Sequence, residues 1–161
     1  MEIVDTELAS IMNQDGGTLS VAESCSGGQL AAYLTAIPGC SEWFAGGVVS
    51  YSNRMKEQLL GVCAETLTSV GAVSESVARQ MAEGVRRVCA TSYGIGVTGI
   101  AGPSGGTIDK PVGTVYIAWA MDAGTEVQRF DFKGDRSNVR AETVKEAVSG
   151  IKKRLTLPKK G

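Results

Sequence analysis

The 161 residues of this chain include no histidine. That removes the usual general base of serine and cysteine hydrolases and the commonest protein ligand of metals. A hydroxyl or thiol nucleophile here must take its base from a lysine, a carboxylate or a tyrosine. Serine paired with lysine is an established variant of the hydrolase triad. The four cysteines, Cys25, Cys40, Cys63 and Cys89, form no C-x-x-C pair, so with histidine missing no zinc or other metal site is expected. The first residues are mixed acidic and apolar, not a basic stretch leading into a long apolar one, so no secretory signal is read. Reduced thiols in the cytoplasm are the expectation. No apolar run reaches the ~20 residues that a membrane-crossing helix needs. Neither sign of charge dominates: Lys plus Arg is 16 and Asp plus Glu is 17, a net charge of -1 that gives no support to a nucleic-acid surface. The neighbouring basic residues Arg86 and Arg87, and Lys152, Lys153 and Arg154, read as solvated helix faces. Linkers, internal repeats and low-complexity segments are also missing. At 43% hydrophobic and 20% charged, residues 1–161 are expected to form one globular domain.

What is present alternates between helical and extended patterns. Ile3, Val4, Leu8, Ile11 and Met12 recur at helical spacing, so residues 2–14 read as an amphipathic helix ended by Asp15-Gly16-Gly17. Residues 18–22 suit a buried strand. Gly27-Gly28 opens a helix that Pro38-Gly39 stops, and residues 43–51 read as a strand. Asn53 is the expected cap of a helix running to Gly61, followed by a short helix over 64–70. Ser74 caps a longer helix with apolar Val77, Ala78, Met81, Ala82, Val85 and Val88. A strand over 93–98 leads into a glycine- and proline-rich loop over 99–112, too long to be a mere connector. Residues 115–121 and 127–132 form a hairpin around Asp122-Ala123-Gly124. Asp135 starts a last helix with Val139, Val144, Ala147, Val148, Ile151 and Leu155 on its apolar side, and the tail from Pro158 is expected to fray. The alternation predicts an α/β domain: a three-layer α/β/α sandwich with a mixed, mostly parallel sheet.

Two segments carry candidate chemistry. Glu23-Ser24-Cys25-Ser26-Gly27-Gly28 lies between a strand and a helix, where an α/β protein presents nucleophiles and exposed backbone N–H groups. The bland alternative is a Ser-rich cap followed by turn glycines. Cys25 rivals Ser24 as nucleophile, because a thiolate at a helix N-terminus is stabilised. Neighbouring side chains of an extended segment face opposite ways, so only one of the two is expected to face a pocket. Tyr51 and Lys56 lie five residues apart where a strand gives way to a helix. A lone helical lysine is usually solvated. To act as a base Lys56 needs its pKa lowered by burial or by a nearby cation, and Arg136 is a candidate for that cation. The loop after Thr98 would form a backbone-rich wall for a small ligand. Gly94-x-Gly96-x-x-Gly99 matches the dinucleotide fingerprint formally, but its first two glycines fall inside the strand and no helix follows. From the residues alone the chain reads as a small-ligand α/β domain with a candidate Ser-Lys hydrolase site.

The same segments give a more specific reading. A-E-S-C-S-G-G at 22–28, W-F-A-G-G-V-V-S-Y-S-N-R-M-K at 43–56, G-A-V-S-E-S-V-A at 71–78, V-T-G-I-A-G-P-S-G-G at 97–106, K-P-V-G-T-V-Y-I-A at 110–118 and G-D-R at 134–136 resemble the CinA C-terminal domain family, in order and over most of the chain. The threonine usual before the double glycine is Ser26 here, which keeps a hydroxyl. The N-terminal domain that many members carry has no counterpart in these residues, so a stand-alone form is expected. The resemblance implies hydrolysis of the carboxamide of nicotinamide mononucleotide to nicotinic acid mononucleotide and ammonia, with no cofactor and in a homodimer. It puts the nucleophile at Ser24 and the general base at Lys56, with Tyr51 and Thr98 orienting the amide or relaying protons. Backbone N–H groups around Ser26, Gly27 and Gly28, or around Gly99, would meet the oxyanion. Arg136 and the loop glycines, including Gly102, would hold the phosphate. Two readings compete with this one: a non-catalytic nucleotide-binding module linked to competence or DNA damage, and an amidase using Cys25 on another amide.

Overall fold

The computed structural model describes residues 4–158; Ile3 and tail residues 159–161 lie outside the described residues. In chain order the elements are α1 (Thr6–Asp15), β1 (Leu19–Glu23), α2 (Gln29–Thr35), β2 (Phe44–Val49), α3 (Asn53–Leu60), α4 (Ala64–Ser69), α5 (Glu75–Cys89), β3 (Tyr93–Gly99), β4 (Thr114–Met121), β5 (Gly124–Asp131) and α6 (Arg136–Thr156). Local capping sets most helix ends. Asp5, Ser74 and Asp135 accept from the N–H groups of Leu8, Val77 and Asn138 at 2.9, 3.3 and 2.9 Å. Ser52, not Asn53, caps α3 by accepting from the Met55 N–H at 3.2 Å. A single 3₁₀ turn at Cys40–Glu42, which the sequence pattern did not announce, follows Pro38-Gly39.

The five strands form one sheet in the order β2-β1-β3-β4-β5. β1 runs parallel to β2 and to β3, whereas β3–β4 and β4–β5 are antiparallel. The sheet is therefore evenly mixed rather than mostly parallel. The correction has a simple cause. For β4 to lie parallel to β3 the chain would need a crossover connection, usually a helix. The stretch between β3 and β4 holds only a glycine-rich loop, so the chain returns antiparallel.

Side-chain size separates the two faces of the sheet. Leu19, Val21, Ile95, Val97, Val115, Ile117 and Trp119 pack with the buried side of α1, α2 and α6. Alternate positions are small: Ser20 and Ala22 on β1, Gly94 and Gly96 on β3, Ala118 and Ala120 on β4. Helix α5 packs on this side. A Cβ on Gly96 would lie 2.5 Å from the Ala78 carbonyl oxygen and 2.6 Å from the Ala82 nitrogen. The first two glycines of the formal dinucleotide match, Gly94 and Gly96, thus serve helix–sheet packing. Val88, placed on the apolar side of α5 by its spacing, is exposed instead, and Leu155 of α6 is only partly buried.

Strand order also positions the site. The chain leaves β1 toward β2 on one side, and β3 lies on the other. In open α/β sheets the crevice beyond the carboxyl ends of strands at such a switch point is where ligands bind. Ser24 follows β1 and Thr98–Gly99 end β3 at that crevice.

Candidate functional site

The turn after β1 is held tightly at its base. Ser24 donates its N–H to the Val97 carbonyl at 3.1 Å, and the Gly27 N–H returns to the Ser24 carbonyl at 3.0 Å. Glu23, fully buried, accepts from the Leu30 and Ala31 N–H groups at 2.9 Å each and so caps α2 from the preceding strand. Gly28, the residue before α2, has φ 98°, a left-handed conformation that suits glycine. Among the described residues, the Cys25 and Ser26 N–H groups donate to no other residue, and the Ser26 hydroxyl is buried without a partner.

Lys56 reverses the usual logic of an amphipathic helix. It shares the buried face of α3 with Leu60, one turn on, while Met55 and Leu59 are exposed. The Lys56 side chain is 1% exposed. Its Nζ donates to the Ser50 carbonyl at 2.9 Å, to the Tyr51 carbonyl at 3.1 Å and to Ser24 Oγ at 3.0 Å. Burial lowers the Lys56 pKa from the usual 10.5, with the neighbouring Cys25 pulling the other way. Arg136, a candidate for this task in the sequence, is not a cause: its guanidinium donates to the Gly102 carbonyl at 2.8 Å and to the Tyr51 hydroxyl at 3.2 Å.

The three oxygens match the three donors of an ammonium, and the same geometry serves a neutral amine base. A neutral lysine has two N–H bonds and one lone pair. The two carbonyls take the two N–H groups, which leaves the lone pair aimed at the Ser24 hydroxyl. Cys25 differs. It borders the same pocket as Ser24 but belongs to the buried hydrophobic core, and burial pushes its thiol up to about 11, so it stays protonated at neutral pH.

Ser24, Cys25, Tyr51, Lys56, Thr98, Gly99 and Arg136 line one pocket of about 200 Å³, so both Ser24 and Cys25 border it where only one was expected to. Gly102 meets it only through its carbonyl, which holds Arg136. Ser26, Gly27 and Gly28 do not line it; they build the turn behind Ser24. The Thr98 hydroxyl donates to the Ala72 carbonyl at 2.9 Å, pinning the segment before α5 against the pocket. Tyr51 is 61% exposed at the mouth. Sequence reasoning missed Ser50, whose carbonyl acts through its backbone alone and so leaves no side-chain signature. It also missed Ala72, whose carbonyl takes the Thr98 hydroxyl, and Val73, which lines the pocket. Arg140 was missed too; it bonds the Cys25 and Ser26 carbonyls at 3.2 Å each. A larger cavity, of about 750 Å³, lies between α1, α2 and α6. Its Asp5 is already paired, accepting from Tyr33 Oη and Lys152 Nζ at 2.7 Å each, and no serine there meets a base.

Comparison with known proteins adds the relatives. The model of the CinA C-terminal domain family matches residues 1–155. A CinA-like protein of Geotalea uraniireducens is 48% identical over 154 residues, covering 96% of this chain and 37% of that protein. The chain spans between 33% and 40% of the length of the curated relatives it matches. Among solved structures, a CinA superfamily protein from Enterobacter cloacae superposes with a TM-score of 0.90 at 35% identity, over 94% of this chain and 89% of that one. The competence damage-inducible protein A of Klebsiella pneumoniae gives a TM-score of 0.90 at 38% identity, over 93% of each chain.

Proposed function

This chain belongs to the CinA C-terminal domain family, and on that premise we propose that it hydrolyses the carboxamide of nicotinamide mononucleotide to nicotinic acid mononucleotide and ammonia. One observation carries the chemistry: a buried Lys56 Nζ, satisfied by two carbonyls, with its remaining direction 3.0 Å from Ser24 Oγ. The substrate rests on the family motifs.

In this reading neutral Lys56 takes the Ser24 proton as Oγ attacks the carboxamide carbon. The negative oxygen of the tetrahedral intermediate is met by the N–H of pocket-lining Cys25, backed by the Ser26 N–H just behind the lining, two amides of the turn that have no other partner. Gly27 is less suited, because its N–H already serves Ser24. The Lys56 ammonium returns the proton to the leaving nitrogen and ammonia departs. Water, activated by Lys56 in turn, then cleaves the acyl-Ser24 ester and releases the carboxylate. The pocket of about 200 Å³ is smaller than the ~300 Å³ lower end for whole small-molecule ligands, so it takes the amide-bearing ring. The ribose phosphate then lies over Arg136 and Tyr51 at the mouth. The mechanism needs no metal or organic cofactor. A homodimer in a reducing, cytoplasmic setting completes the proposal.

The test is ammonia release from the mononucleotide by purified protein, with and without a chelator. Release that survives chelation and disappears in Ser24→Ala supports the reading. Tight binding of the mononucleotide with no ammonia released would favour the non-catalytic nucleotide-binding module instead.

A further inference from the structure

Arg140 is the charged side chain next to the site that the mechanism above leaves without a task. It lies on α6 one turn after Arg136, yet it does not line the pocket. Its Nε donates to the Cys25 carbonyl and its Nη2 to the Ser26 carbonyl, both at 3.2 Å. A guanidinium presents its N–H groups in a rigid planar fork, so a two-pronged contact fixes orientation as well as distance. A trans peptide holds its C=O and the following N–H in opposite directions in one plane. Anchoring the Cys25 carbonyl therefore sets where the Ser26 N–H points. Anchoring the Ser26 carbonyl does the same for the Gly27 N–H, which is found bonded to the Ser24 carbonyl at 3.0 Å. Glu23 holds the far end of the same turn through the Leu30 and Ala31 N–H groups.

We infer that Arg140 is a positioning residue for the oxyanion-binding amides, acting on them from the carbonyl side of the Cys25-Ser26-Gly27 peptides. The inference rests on Ser24 being the nucleophile. Two effects act together. The fork keeps the Ser26 N–H in one direction before substrate arrives, so no reorganisation is needed as charge develops. The positive charge on the carbonyl oxygen also polarises that peptide and makes its N–H a stronger donor. An arginine four residues from Arg136 would otherwise read as a second phosphate contact. The geometry separates the two: Arg136 faces the pocket mouth, whereas both prongs of Arg140 are on backbone.

The experiment uses the full chain with Arg140→Met, which keeps an unbranched apolar stem, and Arg140→Lys, which keeps the charge without the fork. Three quantities are read: kcat and KM on nicotinamide mononucleotide, the ¹H–¹⁵N signal of Ser26 in unliganded protein, and the melting temperature. In Arg140→Met the expected result is a kcat lower by roughly tenfold to a hundredfold, a KM within about twofold, and a displaced Ser26 amide signal. Arg140→Lys is expected to restore part of kcat and, being the milder change, keeps the test open if the methionine variant does not fold. A raised KM with kcat unchanged would overturn the inference and make Arg140 a substrate contact. An unmoved Ser26 signal would overturn it as well. Failure of wild-type protein to release ammonia is a different result. It removes the proposed reaction, while the Ser26 signal still decides whether Arg140 holds the turn.

Discussion

Ser24 and Cys25 are joined by one peptide bond, yet their surroundings assign them opposite tasks. The Ser24 hydroxyl meets Lys56 Nζ at 3.0 Å, and the Cys25 thiol, pushed up to about 11 by burial, sits against the core. Ser24→Ala is expected to lower kcat by roughly ten-thousand-fold or more while the mononucleotide still binds. Lys56→Met should match it, and the double variant should be scarcely worse than either, because members of a catalytic unit are not additive. Cys25→Ala should keep activity within roughly threefold, since what it loses is packing of a small apolar group. A dead but folded Cys25→Ala protein would move the nucleophile to the thiol. The profile of kcat/KM against pH should rise on the basic side as Lys56 loses its proton, with an apparent pKa below the usual 10.5. Arg136→Ala removes a charge-assisted contact worth about 2 kcal/mol, so KM should rise roughly thirtyfold with kcat little changed. Most of these side chains were legible in the sequence. Ser24, Tyr51, Lys56 and Arg136 were marked by strand ends, by the missing histidine and by the family motifs. The source of the Lys56 shift was not, because burial depends on which face of α3 turns inward. The exposed Met55 and Leu59 show that hydrophobicity alone would have chosen the wrong face.

The elements carry a second layer of constraint. α5 lies on the small-residue face of the sheet so closely that β3 has glycine at positions 94 and 96. Adding one methyl at Gly96 forces backbone or helix to move, because the new atom would sit 2.5 Å from the Ala78 carbonyl oxygen. Gly96→Ala is expected to destabilise by about 3 kcal/mol, the upper part of the overpacking range. At about 2–4 °C per kcal/mol for a chain of this size, the melting temperature should fall by roughly 6–12 °C in a calorimetric scan. A drop of less than about 2 °C would mean that α5 can slide without cost. The three-layer arrangement and nearly every helix could be read from spacing and caps. The hairpin of β4 and β5 was read as well; what could not be read was the direction of the β3–β4 pair. Strand patterns give burial and alternation but not the course of a 14-residue connection, so the antiparallel β3–β4 pair appeared only in three dimensions. The Ser52 cap shows the same limit on a smaller scale. Ser and Asn are both good caps, and only the bond to the Met55 N–H decides between them.

At the scale of the whole molecule the site is a local conflict that the fold tolerates. The sheet brings the ends of β1 and β3 together, α3 and the segment before α5 close one side, and α6 supplies Arg136 from the other layer. Into this frame the chain buries an amine where an aliphatic side chain would pack without a desolvation cost, a familiar mark of function opposing stability. The conflict should be measurable as a pH dependence of folding. The folded pKa of Lys56 is lowered by burial, while the unfolded chain has the ordinary lysine value of 10.5. Between the two the unfolded state holds one more proton than the native state, so this residue makes stability rise with pH. The stabilisation is fully present above 10.5 and is lost as pH falls through the folded pKa. Each unit of separation is worth about 1.4 kcal/mol. Lys56→Met lacks this titration, although it leaves the Ser50 and Tyr51 carbonyls without their donor. That second loss is independent of pH and cancels when the difference between the two proteins is followed across the scale. Urea unfolding at a series of pH values should therefore show wild type gaining on Lys56→Met as the pH rises toward 10.5 and losing ground as it falls. A difference that stays flat from neutral pH to 10.5 would show that Lys56 is charged in the native protein throughout that range. The serine would then have no neutral amine beside it to take its proton.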